Sequence, residues 1–115
     1  MAYLSAARWA RTRFLNQKAI RLFEKSIALF GENNHLSMID ALHDCGSVQE
    51  LVGNYDAALQ SFKEMLRHAW ILVLRSKAGA ALNRIGRLYR IRGDTTAARA
   101  FLERAMALFK AADDV

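Results

Sequence analysis

Three histidines, one cysteine and eleven acidic residues are the groups of this 115-residue chain that could do acid–base, nucleophilic or metal chemistry. Asp40, His43 and Asp44 lie within one turn of a predicted helix, and carboxylates at i and i+4 share a face. Two carboxylates and an imidazole hold a cation weakly; a useful site needs three or four ligands and groups that orient them, so no metal is expected. His43 and Cys45 are two apart, which on a helix aims them about 200° apart and excludes a thiolate–imidazole pair. His35 is placed in a loop, and His68 falls on a different helix from His43. Cys45 has no second cysteine to bridge or to share a metal, and reads as a small core residue. Gly53-Asn54 and Gly93-Asp94 are isolated turn signals and do not make a Gly-rich phosphate loop. The expectation is a protein that is not an enzyme and needs no cofactor.

Function must then reside in surface. The net charge of +6 is unevenly spread: Met1–Phe30 is basic, Gly31–Trp70 is acidic through residues such as Asp40, Asp44 and Glu50, and Ile71–Val115 is basic again. The acidic middle interrupts the continuous positive surface that phosphate tracking needs, so nucleic-acid binding is the least supported reading. No apolar run approaches the ~18 residues of a membrane span. Arg8, Arg11 and Arg13 fall among alanines and aromatics without the apolar centre of a secretory signal. A cytoplasmic protein without a membrane partner is expected. The most apolar run, Trp70–Leu74, is expected either to pack beneath the following hairpin or to mediate association.

The elements that must position this surface are helical. Proline is absent, glycines number six, and 53% of residues are hydrophobic. That composition suits an all-α chain. Leu82, Ile85 and Tyr89, then Ala98, Leu102 and Ala105, recur at helical spacing on either side of Gly93-Asp94, which reads as one helical hairpin. Small Gly86 and Ala98 let the backbones approach. Moving back 40 residues gives Leu42, Cys45, Gly46 and Gln49, then Gly53-Asn54, then Ala58, Phe62 and Met65. A further 39 gives Tyr3, Ala6, Ala7 and Ala10, then Ala19, Phe23 and Ser26. The spacing predicts helices over Ala2–Arg13, Asn16–Phe30, His35–Val52, Tyr55–Leu72, Arg75–Arg92 and Thr95–Ala111. The first turn carries Phe14-Leu15 in place of Gly-Asn, yet the Ala7-to-Ala19 spacing favours a hairpin there over one long helix.

This pattern resembles the tetratricopeptide repeat, with its large-x₂-Leu-Gly-x₂-Tyr and Ala-x₃-Phe signature. The resemblance implies a right-handed α-α superhelix of three stacked hairpins, with repeats at about 1–34, 35–74 and 75–115 in one domain, either whole or excerpted from a larger regulatory protein. It further implies that the first helix of each unit lines a concave groove. The candidate contacts are then Leu4, Arg8 and Arg11; His43, Ser47 and Glu50; and Asn83, Arg84, Arg87 and Arg90. Guanidinium groups at that spacing suit bidentate capture of carboxylates, so the implied function is a protein-interaction scaffold binding an acidic peptide. The chaperone-tail clamp of some relatives is not expected. It would want lysine, asparagine, asparagine and lysine where Leu4, Arg8, Asp44 and Ala80 stand; only Arg84 fits. The alternative partner is a second copy, in a homodimer through Phe101, Leu108 and Phe109 on a last helix expected to leave them uncovered.

Overall fold

The computed structural model describes residues 2–30 and 33–113 of the backbone, with side chains from Leu15 onward within those ranges. Five helices follow one another: α1 (Ala2–Phe30), α2 (His35–Leu51), α3 (Tyr55–Ile71), α4 (Arg75–Ile91) and α5 (Thr95–Asp113). No strand occurs among the described residues. Each helix packs on its neighbours in sequence, which is the pattern of a layered helical array. None of the helices is long and apolar enough to cross a membrane.

The last three junctions share one construction. After α2, the N–H of Gly53 donates to the Glu50 carbonyl and that of Asn54 to the Gln49 carbonyl. The same paired bonds recur from Val73 and Leu74 onto Trp70 and Ala69, and from Gly93 and Asp94 onto Arg90 and Tyr89. This is the Schellman arrangement, which satisfies the last carbonyls of a helix and requires a left-handed residue in the middle. Gly53 and Gly93 supply it at φ 84° and 85°. The following residue then opens the next helix: Asn54 and Asp94 accept from the N–H groups of Ala57 and Ala97 through their side chains.

The α3–α4 junction makes the same turn with neither aid. Val73 stands at φ 54°, and Leu74 offers no side-chain cap. A β-branched residue is held there because its neighbours bury enough apolar surface to override local preference. Leu74 packs against the core, and Ala78, Ala81, Leu82, Ile85 and Leu88 of α4 are almost wholly buried. The run Trp70–Leu74 divides at this turn: Leu74 goes inward, while Trp70, Ile71, Leu72 and Val73 stay exposed.

The first unit departs from the expected hairpin. α1 passes without a break through Phe14–Asn16. Phe14-Leu15 cannot supply a cheap left-handed residue, and Arg13, Leu15, Gln17 and Lys18 all propagate helix well. The pattern positions ahead of that point are Tyr3, Ala6, Ala7 and Ala10, three of them alanines, which offer a turn less apolar side chain than the Leu82, Ile85 and Leu88 that follow Val73. The described architecture is therefore two hairpins preceded by one long helix. α1 packs on α2, with Ile20 buried and Ile27 half-buried on the core.

The core runs along the α2–α3–α4 interface. Phe62, Met65, Ile39, Ile85 and Leu88 are among its largest fully buried members. Close approach is achieved at Gly46, where an added Cβ would stand 2.7 Å from the Phe62 ring. It is achieved again at Gly86, where the Cβ would meet Leu102 Cγ at 2.9 Å and the Ala98 carbonyl at 3.2 Å.

Candidate partner-binding groove

Between α2 and α4 lies a cleft of about 330 Å³, lined by Ile39, Asp40, His43 and Asp44 from α2, Met65 from α3, and Lys77 and Ala80 from α4. Helical spacing places Asp40, Asp44, Ser47 and Glu50 along one wall. Lys77, Arg84 and Arg87 follow the same rule on the other. One wall is thus acidic and the other basic.

Two ion pairs span the gap. Lys77 Nζ lies 3.8 Å from Asp40 Oδ1 at one end. At the other, Arg87 donates to Glu50 Oε2 at 2.6 Å. The second pair is the better built, with Glu50 largely shielded and Arg87 partly so, but it is incompletely satisfied: Glu50 Oε1 and Arg87 Nε are buried without hydrogen-bond partners among the described residues. Desolvation therefore offsets part of its attraction.

The remaining candidates are less engaged. His43 is half-buried, 3.4 Å from Asp44 Oδ1, with its ring edge toward Phe62. Ser47 spends its hydroxyl on the His43 carbonyl one turn back. Arg84, set by helical spacing on the α4 face between Lys77 and Arg87 but not lining the cleft itself, is half-buried and forms no ion pair or hydrogen bond with the described residues. Asn83 and Arg90 are exposed. Leu4, Arg8 and Arg11 lie outside the described side chains. Sequence alignment of the units thus selected Glu50 and Arg87 as groove residues and the structure brings them together, but as partners of each other. Asp40 and Lys77 were not foreseen as a pair, although both belong to helix faces identifiable from the repeat.

A second contact was missed. His35 is the first residue of α2, not part of a loop, and its Nδ1 lies 2.7 Å from Nδ1 of the fully buried His68. One imidazole donates and the other accepts. Nearby, Ser61 donates to Gln49 across the α2–α3 seam at 2.6 Å. Cys45 is buried beside them. Burial pushes its thiol above the ordinary value of 9.0, the Glu24 charge pushes the same way, and the Ser61 hydroxyl opposes both. A thiol so held is a poor nucleophile at neutral pH. No group of three or more His, Cys, Asp or Glu converges as metal ligands would among the described residues.

On α5, the expectation of uncovered side chains is corrected for two of the three. Phe101 stacks on Tyr89 with ring centroids 5.3 Å apart, and Leu108 packs against the core. Phe109 lies beside Gly79 yet stays exposed, at 38%. The reason is geometric: Phe101 and Leu108, seven residues apart, lie on the α5 side that α4 covers. What α5 leaves open is a shallow apolar hollow formed by Ala98, Leu102 and Met106 with Arg90 and Arg99 at its rim.

Antiparallel hairpins joined by a recurring turn and carrying an inter-helix cleft define a helical-repeat protein. Residues 79–112, nearly all of α4 and α5, match the family model described as tetratricopeptide repeat. That segment is a tetratricopeptide repeat, and the α2–α3 hairpin repeats its construction. Repeats of this family generally mediate protein–protein interaction and are generally not enzymatic. Comparisons with curated proteins and with solved structures gave no match.

Proposed function

We propose that this chain is a protein-interaction scaffold that receives an acidic segment of a partner protein in the cleft between α2 and α4. Arg84 carries the reading. It is a half-buried residue that helical spacing sets between Lys77 and Arg87 on the same face of α4, with its hydrogen-bonding fork uncommitted among the described residues, and a partner carboxylate can take both of its donors at once. Lys77 stands nearby on the same wall, its link to Asp40 long enough at 3.8 Å to exchange for a ligand. Asp40 and Asp44 on the opposite wall oppose a uniformly acidic ligand. The preferred segment therefore bears its carboxylates on one side only, facing α4.

Fluorescence anisotropy with labelled peptide pools, one rich in Glu and Asp, one in Lys, and one neutral, tests this directly. The acidic pool should bind best, and Arg84→Ala should weaken it about tenfold or more, since a hydrogen bond to a charged group contributes ~1.5–3 kcal/mol. Arg99→Ala, on α5, is the control and should leave binding unchanged. Equal binding of the three pools, or an Arg84→Ala variant as good as the parent, would refute the assignment.

A further inference from the structure

In the two complete hairpins, the first helix covers a fixed strip on the second. Gln49 of α2 reaches Ser61, and His35 of α2 reaches His68. In the next unit Tyr89 of α4 stacks on Phe101, and Leu108 packs against the core. The repeat register carries these positions onto Leu22 and Leu29 of α1. There the strip is bare. Leu22 is 56% exposed and Leu29 is 86% exposed, where Ser61 is 8% and His68 is 0%.

The cause lies in the continuity of α1. Its residues 2–13 carry the first-helix pattern of the repeat, Tyr3, Ala6, Ala7 and Ala10. Because the helix does not break at Phe14–Asn16, that segment runs on past the strip and does not fold back over it. We propose that the strip is covered by residues 2–13 of a second copy, the two α1 helices lying antiparallel about a two-fold axis and completing each other's first repeat.

Three observations support an exchanged helix over another occupant. In the register of the Tyr89–Phe101 stack, Ala10 of one copy stands opposite Leu22 of the other, and Tyr3 opposite Leu29, so apolar meets apolar at both exposed leucines. The same register brings Asn16 opposite Asn16, which places the two-fold axis at the turn that failed to form. Exchange also avoids a left-handed residue at Phe14, and swapping an element at a strained hinge is a low-cost route to a closed dimer. The interface is separate from the α2–α4 cleft, so it stands or falls independently of the peptide reading.

The test is a cysteine pair in the full chain, Ala10→Cys with Leu22→Cys, oxidised gently and run without reductant; Cys45 is buried, and each single variant serves as control. A covalent dimer from the pair is the expected product. An internally bridged monomer, or no bridge at all, overturns the exchange. Light scattering gives a second reading: the unmodified chain should show twice the 13.0 kDa chain mass at high micromolar concentration. Phe14→Gly with Leu15→Asn, which installs the turn residues of 53–54, should return it to one chain mass with the same circular dichroism. A persistently monomeric parent, or a dimeric turn variant, contradicts the proposal.

Discussion

Val73 occupies a position that glycine holds in the two turns built like it, and the difference makes a signed prediction about stability. Its φ of 54° lies in the left-handed region, where an L-residue loses about 1–2 kcal/mol to contact between Cβ and the carbonyl oxygen. Val73→Gly removes that cost. Against it stand the burial of a side chain that is already 63% exposed, worth on the order of 0.5 kcal/mol, and the greater freedom glycine gains on unfolding, of similar size. The net expectation is a stabilisation on the order of 0.5 kcal/mol, within a range of about 0–1 kcal/mol, with a melting temperature raised by roughly 2–3 °C. Urea unfolding followed by circular dichroism should show a higher midpoint at an unchanged slope. The reverse changes supply the control. A Cβ built at Gly53 or Gly93 meets nothing within 4 Å, so Gly53→Ala and Gly93→Ala introduce no clash, and the loss they cause is chiefly backbone strain. A Val73→Gly protein no more stable than the parent, or alanine tolerated at 53 and 93, would show that the turn does not hold strain at this residue.

Two further outcomes follow from the packing. Gly86→Leu should lose about 1–3 kcal/mol or more by overpacking against Leu102 and the Ala98 carbonyl, whereas Arg90→Leu on the exposed face of the same helix should stay within about 0.5 kcal/mol; thermal melts of the two compare them, and equal values would remove the hairpin register. The raised thiol of Cys45 makes stability depend on pH in one direction: below 9.0 the thiol is protonated in both states and contributes no slope, while above it the unfolded chain loses the proton that the folded chain keeps, so stability falls as pH rises through that value. The slope should diminish in Cys45→Ala, and a slope unchanged there would refute its assignment to this thiol.

How much of this was legible beforehand depended on whether a feature was local or relational. The helices beginning at His35, Tyr55, Arg75 and Thr95 were readable because apolar spacing and the repeat agree, and even the break near Val73, which has no turn residue, could be placed by counting. Phe14–Asn16 was misread by the same counting. Both sites lack glycine, and what separates them is the apolar surface that a turn would bury: Leu82, Ile85 and Leu88 beyond Val73, chiefly alanines ahead of Phe14. The sequence carries that difference, but only a comparison of burial across the units exposes it. The exposure expected of Phe101 and Leu108 is corrected for a related reason, since the last described helix still has a side that its neighbour covers. The His35–His68 pair required knowing which helix faces meet across 33 residues.

The cleft itself shows why pair geometry matters more for function than residue type. Aligned arginines on a concave face suggest an open cationic surface, yet Arg87 is already committed to Glu50, and Lys77 leans toward Asp40. A partner must therefore either compete with these internal carboxylates or use what they leave. Competing at Arg87 means breaking a shielded pair and stranding Glu50, a loss that a ligand carboxylate only replaces in kind. Binding at Arg84 displaces no internal bond. On the proposed reading, the walls of opposite charge would act as a filter: their ion pairs tie α2 to α4, and Arg84 would be the place where an incoming carboxylate gains most.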